Sequence, residues 1–311
     1  MKRTRYYIFG AVLALLAIMG WWAMTHAIGL LGTVRDVRLG MAGFEKGSVR
    51  TDSAEVHYYR GGTGKKTVLL IHGFGVGGAT TWFDAMLSLD DDIQIIVPDL
   101  VWFGESEGSM RPNLPNQART LWQLCDSLHV KPDALVGISY GGFVSFEMLH
   151  QRPEGAKQLV IVNSPGPVFQ QDDIRALCAR AEVDSPDELF IPKDENGLKH
   201  LFRFVFSSEP PIPDFIYDQI FNGETQKNAE TKRLLMRDLV DNADLYRVAG
   251  FPKTKNGVIW SRNDQVFPLA CGERLADSLR AEMVVLENSG HVPHPGERER
   301  YMAGLRKFLL D

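Results

Sequence analysis

Ala134-Leu135-Val136-Gly137-Ile138-Ser139-Tyr140-Gly141-Gly142-Phe143 is the stretch from which the rest of the chain is read. Ala134–Ile138 is short, apolar and preceded by Lys131-Pro132-Asp133, the pattern of a strand buried on both faces. A helical pattern runs from Tyr140 to Arg152. Ser139 lies between the two in a Gly-x-Ser-x-Gly pattern, so the chain reverses sharply from strand to helix at that serine. Side chains at 137 and 141 would collide across so tight a turn, which accounts for a glycine at both. A serine held there projects from the carboxyl end of its strand. It is a candidate nucleophile.

Outward from this point the same rhythm repeats. Val56–Arg60, Thr67–Ile71, Ile93–Pro98, Gln158–Asn163, Asn256–Trp260 and Met283–Glu287 read as further strands, most of them continuous Val/Ile/Leu runs. Helical patterns lie near Thr80–Leu89, Asn116–Leu128, Ala270–Leu279 and Glu297–Leu309. Alternation of this kind predicts a mostly parallel α/β sheet flanked by helices. Asp90-Asp91-Asp92 reads as a solvated turn, not a metal site, and no internal repeat is present. Residues 165–250 break the rhythm. They show no strand pattern, are rich in aromatics, and read as helices interrupted by Pro192, Pro210-Pro211 and Pro213. A structureless loop of that length is implausible, so a helical cap is expected there, with core segments 39–164 and 251–311 on either side.

A serine nucleophile needs a base and an acid to orient it, in the chain order Ser…Asp…His on such a sheet. Asp264 follows the strand ending in Trp260, and His291, in Asn288-Ser289-Gly290-His291, follows the last strand. His294, three residues on and between two prolines, is the rival base and reads better as a surface group. After the strand Thr67–Ile71 comes His72-Gly73-Phe74-Gly75. The backbone N–H groups of Phe74 and Tyr140 are the expected oxyanion-hole donors, with His72 shaping the loop by hydrogen bonding.

With these pieces in place, the chain from about Gly47 onward resembles the α/β-hydrolase superfamily. The motifs that carry the resemblance are His72-Gly73-Phe74-Gly75, Pro98-Asp99-Leu100, the Ser139 turn, the Asp264 segment and Gly290-His291. The apolar N-terminal stretch Tyr6–Met24, which reads as an anchor, and a cap containing Pro210-Pro211-Ile212-Pro213-Asp214-Phe215 make the chain similar to membrane-anchored lipases of the monoacylglycerol-lipase type. The resemblance implies Ser139 as nucleophile, Asp264 as acid, His291 as base and the Phe74 and Tyr140 amides as oxyanion donors. Two departures stand out. Trp102 takes the place of a first glycine in Trp102-Phe103-Gly104-Glu105-Ser106, and Ser261 replaces a common glycine before Arg262-Asn263-Asp264. Asn163 occupies a strand end where some relatives place the acid, which favours Asp264. Trp102, Phe206 and Phe215 are the candidate pocket residues.

The N-terminus has a different character. From Tyr6 to Val34 there is no Asp, Glu, Lys or Arg, and Tyr6–Met24 is almost wholly apolar. About 20 such residues in a helix rise ~30 Å, the thickness of a bilayer's hydrocarbon core. Tyr6, Tyr7, Trp21 and Trp22 flank the run as interfacial aromatics do. Lys2, Arg3 and Arg5 outweigh the mixed flank Arg35-Asp36-Val37-Arg38, which keeps the N-terminus cytoplasmic and exports the rest to a periplasm, lumen or exterior. A cleaved signal peptide is the alternative, but the run exceeds the usual apolar core of about 7–15 residues, and Thr25-His26-Ala27 is a poor cleavage site. Residues 1–38 thus read as a single-pass transmembrane anchor with flanks. They carry a net +4, which leaves −9 for the remainder of a chain whose total is −5.

The acidic body argues against nucleic acid as a partner. Cys125, Cys178 and Cys271, odd in number and far apart, give no disulfide framework and read as small buried hydrophobes. A composition 44% hydrophobic and 23% charged excludes a disordered chain. The leading expectation is a membrane-anchored serine carboxylester hydrolase for acylglycerols or similar apolar esters, working without metal or organic cofactor. A carbon–carbon bond hydrolase or peptidase with the same triad is the alternative, and a non-catalytic ligand-binding protein of the same fold is a third. Nothing in the pattern points to an oligomeric state.

Overall fold

The computed structural model describes residues 21, 24–89, 92–206, 210–248 and 250–310. The expected span Tyr6–Met24, save Trp21 and Met24, and the Asp90-Asp91 part of the acidic turn lie outside the described residues. Among the described residues no helix is long and apolar enough to cross a membrane.

In chain order, helix α1 (Ala27–Met41) leads into β1 (Glu45–Arg50), β2 (Ala54–Gly61) and β3 (Lys66–Ile71). Then come α2 (Gly78–Ser88), β4 (Ile93–Pro98), the two-residue β5 (Glu107–Gly108), α3 (Leu114–Ser127) and β6 (Ala134–Ile138). Helix α4 (Tyr140–Gln151) and β7 (Gln158–Val162) follow. Among the described residues six α-helices intervene: α5 (Gln171–Ala181), α6 (Pro186–Phe190), α7 (Glu195–Phe206), α8 (Asp214–Ile220), α9 (Ala229–Asp241) and α10 (Ala243–Val248). The chain closes with β8 (Lys255–Ser261), α11 (Leu269–Leu279), β9 (Glu282–Leu286) and α12 (Arg298–Leu310).

The strands form one sheet in the order β1-β2-β4-β3-β6-β7-β8-β9, with β5 paired to β2. All pairings from β4 to β9 are parallel, while β1 and β2 form an antiparallel hairpin on one edge. Every residue of β6 and β7 is buried, as their unbroken apolar runs require. Alternate side chains serve opposite cores. Leu69 and Ile71 of β3 pack with α3 and α4 on one face, Val68 and Leu70 with α2 and α12 on the other. Neither β1 nor β5 is legible in the sequence. Glu45-Lys46-Gly47-Ser48-Val49-Arg50 is polar and largely exposed at the sheet edge, so it carries no apolar period. Helix α1 runs across residue 38 and buries Leu39 in the second core, so the expected flank is helical, with Arg35 and Asp36 half-buried against the body and Val37 and Arg38 exposed.

Between β7 and β8 no strand occurs among the described residues. The helices there are tied to the sheet by polar contacts at several points. Arg180 donates to the carbonyls of Gln265 and Val266 at 3.0 and 3.1 Å. The carbonyl of Val205 at the end of α7 accepts the Val292 N–H at 3.0 Å. Asp238 of α9 accepts the Leu114 N–H that opens α3, at 2.9 Å.

Candidate active site

β6 ends at Ile138 and α4 begins at Tyr140, leaving Ser139 alone to make the turn with φ 52° and ψ −123°. An L-residue rarely holds that conformation, and strain of this kind collects where a side chain must be presented. The neighbours show why the turn needs glycine. A Cβ at Gly137 would stand 2.4 Å from the Gly141 carbonyl oxygen, and one at Gly141 2.3 Å from the Ile71 carbonyl oxygen. The Ser139 N–H is anchored to the Val162 carbonyl at 2.9 Å.

Three side chains from three strand ends meet at this turn. His291 Nε2 lies 2.8 Å from Ser139 Oγ, and His291 Nδ1 lies 2.8 Å from Asp264 Oδ2. The carboxylate faces Nδ1, so Nδ1 carries the proton and Nε2 is left to accept from the serine hydroxyl. Asp264 Oδ1 accepts the N–H groups of Val266 and Phe267 at 2.8 and 2.9 Å, which fixes the carboxylate and leaves Oδ2 for the imidazole. Asp264 and His291 are buried, and Ser139 is half-buried. Chemically this chain can draw a proton from Ser139 and hold the resulting imidazolium against a carboxylate. His294, by contrast, is exposed and its Nδ1 accepts the Gly296 N–H at 2.9 Å.

The loop His72–Gly75 passes directly over the serine, a Cβ at Gly73 falling 3.1 Å from that of Ser139. His72 is fully buried, and burial holds its imidazole below the usual histidine range. Its Nε2 must accept from the Leu100 N–H at 2.8 Å, so its Nδ1–H donates to the Gly73 carbonyl at 2.7 Å. That bond pair fixes the loop. Among the described residues neither the Phe74 nor the Tyr140 N–H donates to a protein acceptor. Aromatic rings enclose the place. Phe74 meets Phe103, Tyr140 and Phe190 edge-on at 5.0, 5.7 and 6.2 Å, and Phe267 meets His291 at 5.5 Å.

The three candidate pocket residues are placed differently. Trp102 is 4% exposed, in the core beneath its turn, with its indole N–H donated to the Gly108 carbonyl at 3.1 Å. Its φ of 71° reproduces the left-handed turn that a glycine would otherwise supply. Phe206 is partly buried at the end of α7, edge-on to Phe202 at 5.5 Å, one residue beyond the Val205 carbonyl that holds Val292. Phe215 is 36% exposed on the outside of the cap, one turn before Gln219, which binds the start of α1.

Two supports were not legible as such. Asn163, with φ 46°, donates to the His291 carbonyl at 2.7 Å and to Ser261 Oγ at 2.9 Å, and accepts the Ser261 N–H at 2.7 Å. It therefore ties the histidine loop to the strand end that carries Asp264. Glu297 accepts from the Glu287 and Asn288 amides and from Ser289 Oγ, bracing the same loop from outside. An asparagine at the strand end is the only signal the sequence offers for the first, and there is none for the second.

The chain matches the alpha/beta hydrolase family over residues 68–303. It is 27% identical over 244 residues to Lipase 1 of Psychrobacter immobilis, covering 76% of this chain and 75% of that one. It is 32% identical over 270 residues to 2-hydroxymuconate semialdehyde hydrolase of Pseudomonas sp. strain CF600, covering 78% and 87% respectively. In three dimensions it is similar to a membrane phospholipase A described as a bacterial virulence factor, with a TM-score of 0.76, 24% identity and 99% of each chain covered. At that identity the likeness speaks to the fold.

Proposed function

The chain belongs to the alpha/beta hydrolase family, and on that premise we propose that it is a membrane-tethered carboxylester hydrolase acting on acylglycerols or similar lipid esters. The observation that carries this reading is the unbroken hydrogen-bonded chain from Ser139 through His291 to Asp264, on a strained turn whose Tyr140 amide, like that of Phe74, has no protein acceptor among the described residues. In the reaction Ser139 Oγ attacks the ester carbonyl carbon while His291 Nε2 takes its proton. The carbonyl oxygen becomes an oxyanion between the Phe74 and Tyr140 N–H groups. The intermediate collapses, the ester C–O bond breaks, and His291 returns the proton to the leaving alcohol. Water, deprotonated by the same imidazole, then releases the acid from the acyl-serine. Asp264 stays ionised throughout and holds the tautomer. The route calls for no metal or organic cofactor.

Similarity to Lipase 1 and the aromatic surroundings of Ser139 support an apolar ester as substrate. In this reading residues 6–24 tether the protein with its N-terminus cytoplasmic and the catalytic body on the exported side. Residues 165–250 act as a cap over the site, with Phe206 near the acyl path. Similarity to 2-hydroxymuconate semialdehyde hydrolase favours a second reading, cleavage of a carbon–carbon bond in a dienol acid by the same residues.

A fluorophosphonate serine probe, tested on the wild type and on Ser139→Ala, addresses the nucleophile; labelling of the variant at the wild-type level overturns it. Turnover of monoacylglycerols in detergent or vesicles, set beside a chromophoric dienol acid, separates the two bond types. Bleaching of the dienol acid with no release of fatty acid would overturn the ester reading.

A further inference from the structure

Helix α1 is packed the wrong way round for a protein surrounded by water. Ile28, Arg35, Asp36 and Leu39 face the body, and Leu39 is fully buried. The opposite face, at the helical spacing 30, 31, 34, 37 and 41, carries Leu30, Leu31, Val34, Val37 and Met41. These side chains are exposed by 37, 61, 56, 56 and 85%. Five large apolar side chains exposed in one line, continuous with the apolar segment that precedes the helix, mark a face that something covers.

We propose that α1 lies in the surface of a lipid bilayer, its outward stripe sunk among the acyl chains, so that the cap beside it faces the membrane. This deepens the tethered reading above and rests on the membrane attachment in it, but not on the ester chemistry. Three observations choose lipid over a protein partner. The stripe begins where the apolar segment 6–24 ends, and Trp21 and Met24, which lead into α1, are themselves 71 and 48% exposed. Arg38 lies within the same outer face, exposed and with its guanidinium 4.9 Å from the Phe83 ring, from where its long apolar stem lets it snorkel to a bilayer's headgroups. The stripe is also too small for a stable dimer. At 1.5 Å per residue α1 is about 22 Å long, and a face ~10 Å wide gives roughly a quarter of the ~800 Å² each partner of a standard interface contributes.

The placement bears on substrate access. Gln219 of α8 accepts the Ile28 N–H at 3.0 Å and donates to the Met24 carbonyl, so the cap is fastened to the beginning of α1. Phe215, one turn earlier on the same face of α8, is the cap's exposed aromatic at this junction. A bilayer that receives α1 therefore also meets the cap.

The test uses the full chain in vesicles of phosphatidylcholine and phosphatidylglycerol doped with shallow-doxyl phosphatidylcholine. Single cysteines at Leu31→Cys, Val34→Cys and Met41→Cys, in a Cys178→Ser background, carry an environment-sensitive fluorophore. Glu154→Cys, exposed beyond α4 on the far side of the sheet, is the reference. The expected result is roughly twofold loss of emission at 31, 34 and 41 with little change at 154, as for a helix sunk about 5–10 Å into the interface. Protein that co-sediments with the vesicles but shows equal quenching at all four positions keeps the tether and overturns the proposal. Cross-linking between two copies through position 34, without lipid quenching, overturns it in favour of a dimer. A chain that fails to sediment with the vesicles overturns the tether and the proposal together, while fluorophosphonate labelling still reports on the chemistry.

Discussion

At the scale of single residues, the site is a set of side chains held by backbone atoms that the sequence does not bring near. Ser139, Asp264 and His291 are legible because each follows a strand and the three occur in the order such a sheet imposes. Asn163 is not legible in its role, because its partners are main-chain and hydroxyl groups of Ser261 and His291, 98 and 128 residues away. Asn163→Ala removes the tie on the His291 carbonyl and leaves the buried Ser261 amide without its acceptor, at a cost of about 1–3 kcal/mol. Because the histidine loop loses its register, kcat is expected to fall more than tenfold with KM little changed, measured well below the variant's melting temperature. Unaltered kcat beside a lowered melting point would make Asn163 purely structural. Trp102 poses an opposite pair of effects. Its left-handed backbone costs of order 1–3 kcal/mol, which Trp102→Gly relieves, but emptying a site only 4% exposed costs about 3–5 kcal/mol. The cavity wins, and urea unfolding is expected to show a less stable variant despite the easier turn.

At the scale of elements, cap helix α9 carries a cation that the fold places at a cost. Lys232 is 3% exposed, its ammonium donating to the Glu224 carbonyl at 2.7 Å and lying 5.2 Å from the centre of the Phe103 ring. Burial pushes its pKa down from the usual 10.5 to about 8, against the opposing pull of Glu224 and Glu107. Below about pH 8 both folded and unfolded chains hold this proton, so the full penalty of the buried charge is present. Between pH 8 and 10.5 the folded chain sheds the proton first, and the group's contribution to stability rises with pH by up to about 3 kcal/mol. Lys232→Met never carries the charge. Its stability relative to wild type is therefore expected to be greatest near pH 7 and to decline by that amount toward pH 10.5, read from urea midpoints across the range. A gap that does not move with pH would place the ammonium in contact with water. The lack of strand pattern in this segment is legible in the sequence, but a lysine at position 232 reads as surface in any sequence pattern. Only the packing of α9 against the Trp102–Glu107 turn turns it inward.

At the scale of the whole molecule, the middle of the sheet is buried throughout while one part of the cap is not, and their stabilities should differ accordingly. Strands β3, β6 and β7 lie in the middle of the sheet, with Val68–Ile71 and all of β6 and β7 buried between two cores. The unbroken apolar runs that made these strands legible are the same feature that makes them stable. Most cap helices share the larger core with the sheet through Ile174, Leu177, Leu189, Phe204, Leu235 and Leu239, but α8 buries only Tyr217 and passes into a π turn, Phe221–Thr225, in which no residue is buried. Few buried contacts and an irregular helix make a low opening energy. In native-state hydrogen exchange the amides of α8 and residues 221–225 are expected to exchange fastest, those of β6 and β7 at rates set by global unfolding. A phosphonate covalently bound at Ser139 would meet the His72–Gly75 loop, whose Phe74 ring packs on Phe190 of the cap. It is expected to slow exchange in the cap and leave the central strands unchanged, because only the cap opens without unfolding the sheet. If cap and β6 amides instead exchange with one common energy, the ties between them are strong enough to make a single cooperative unit, and access to the serine must come from side-chain movement within a closed body.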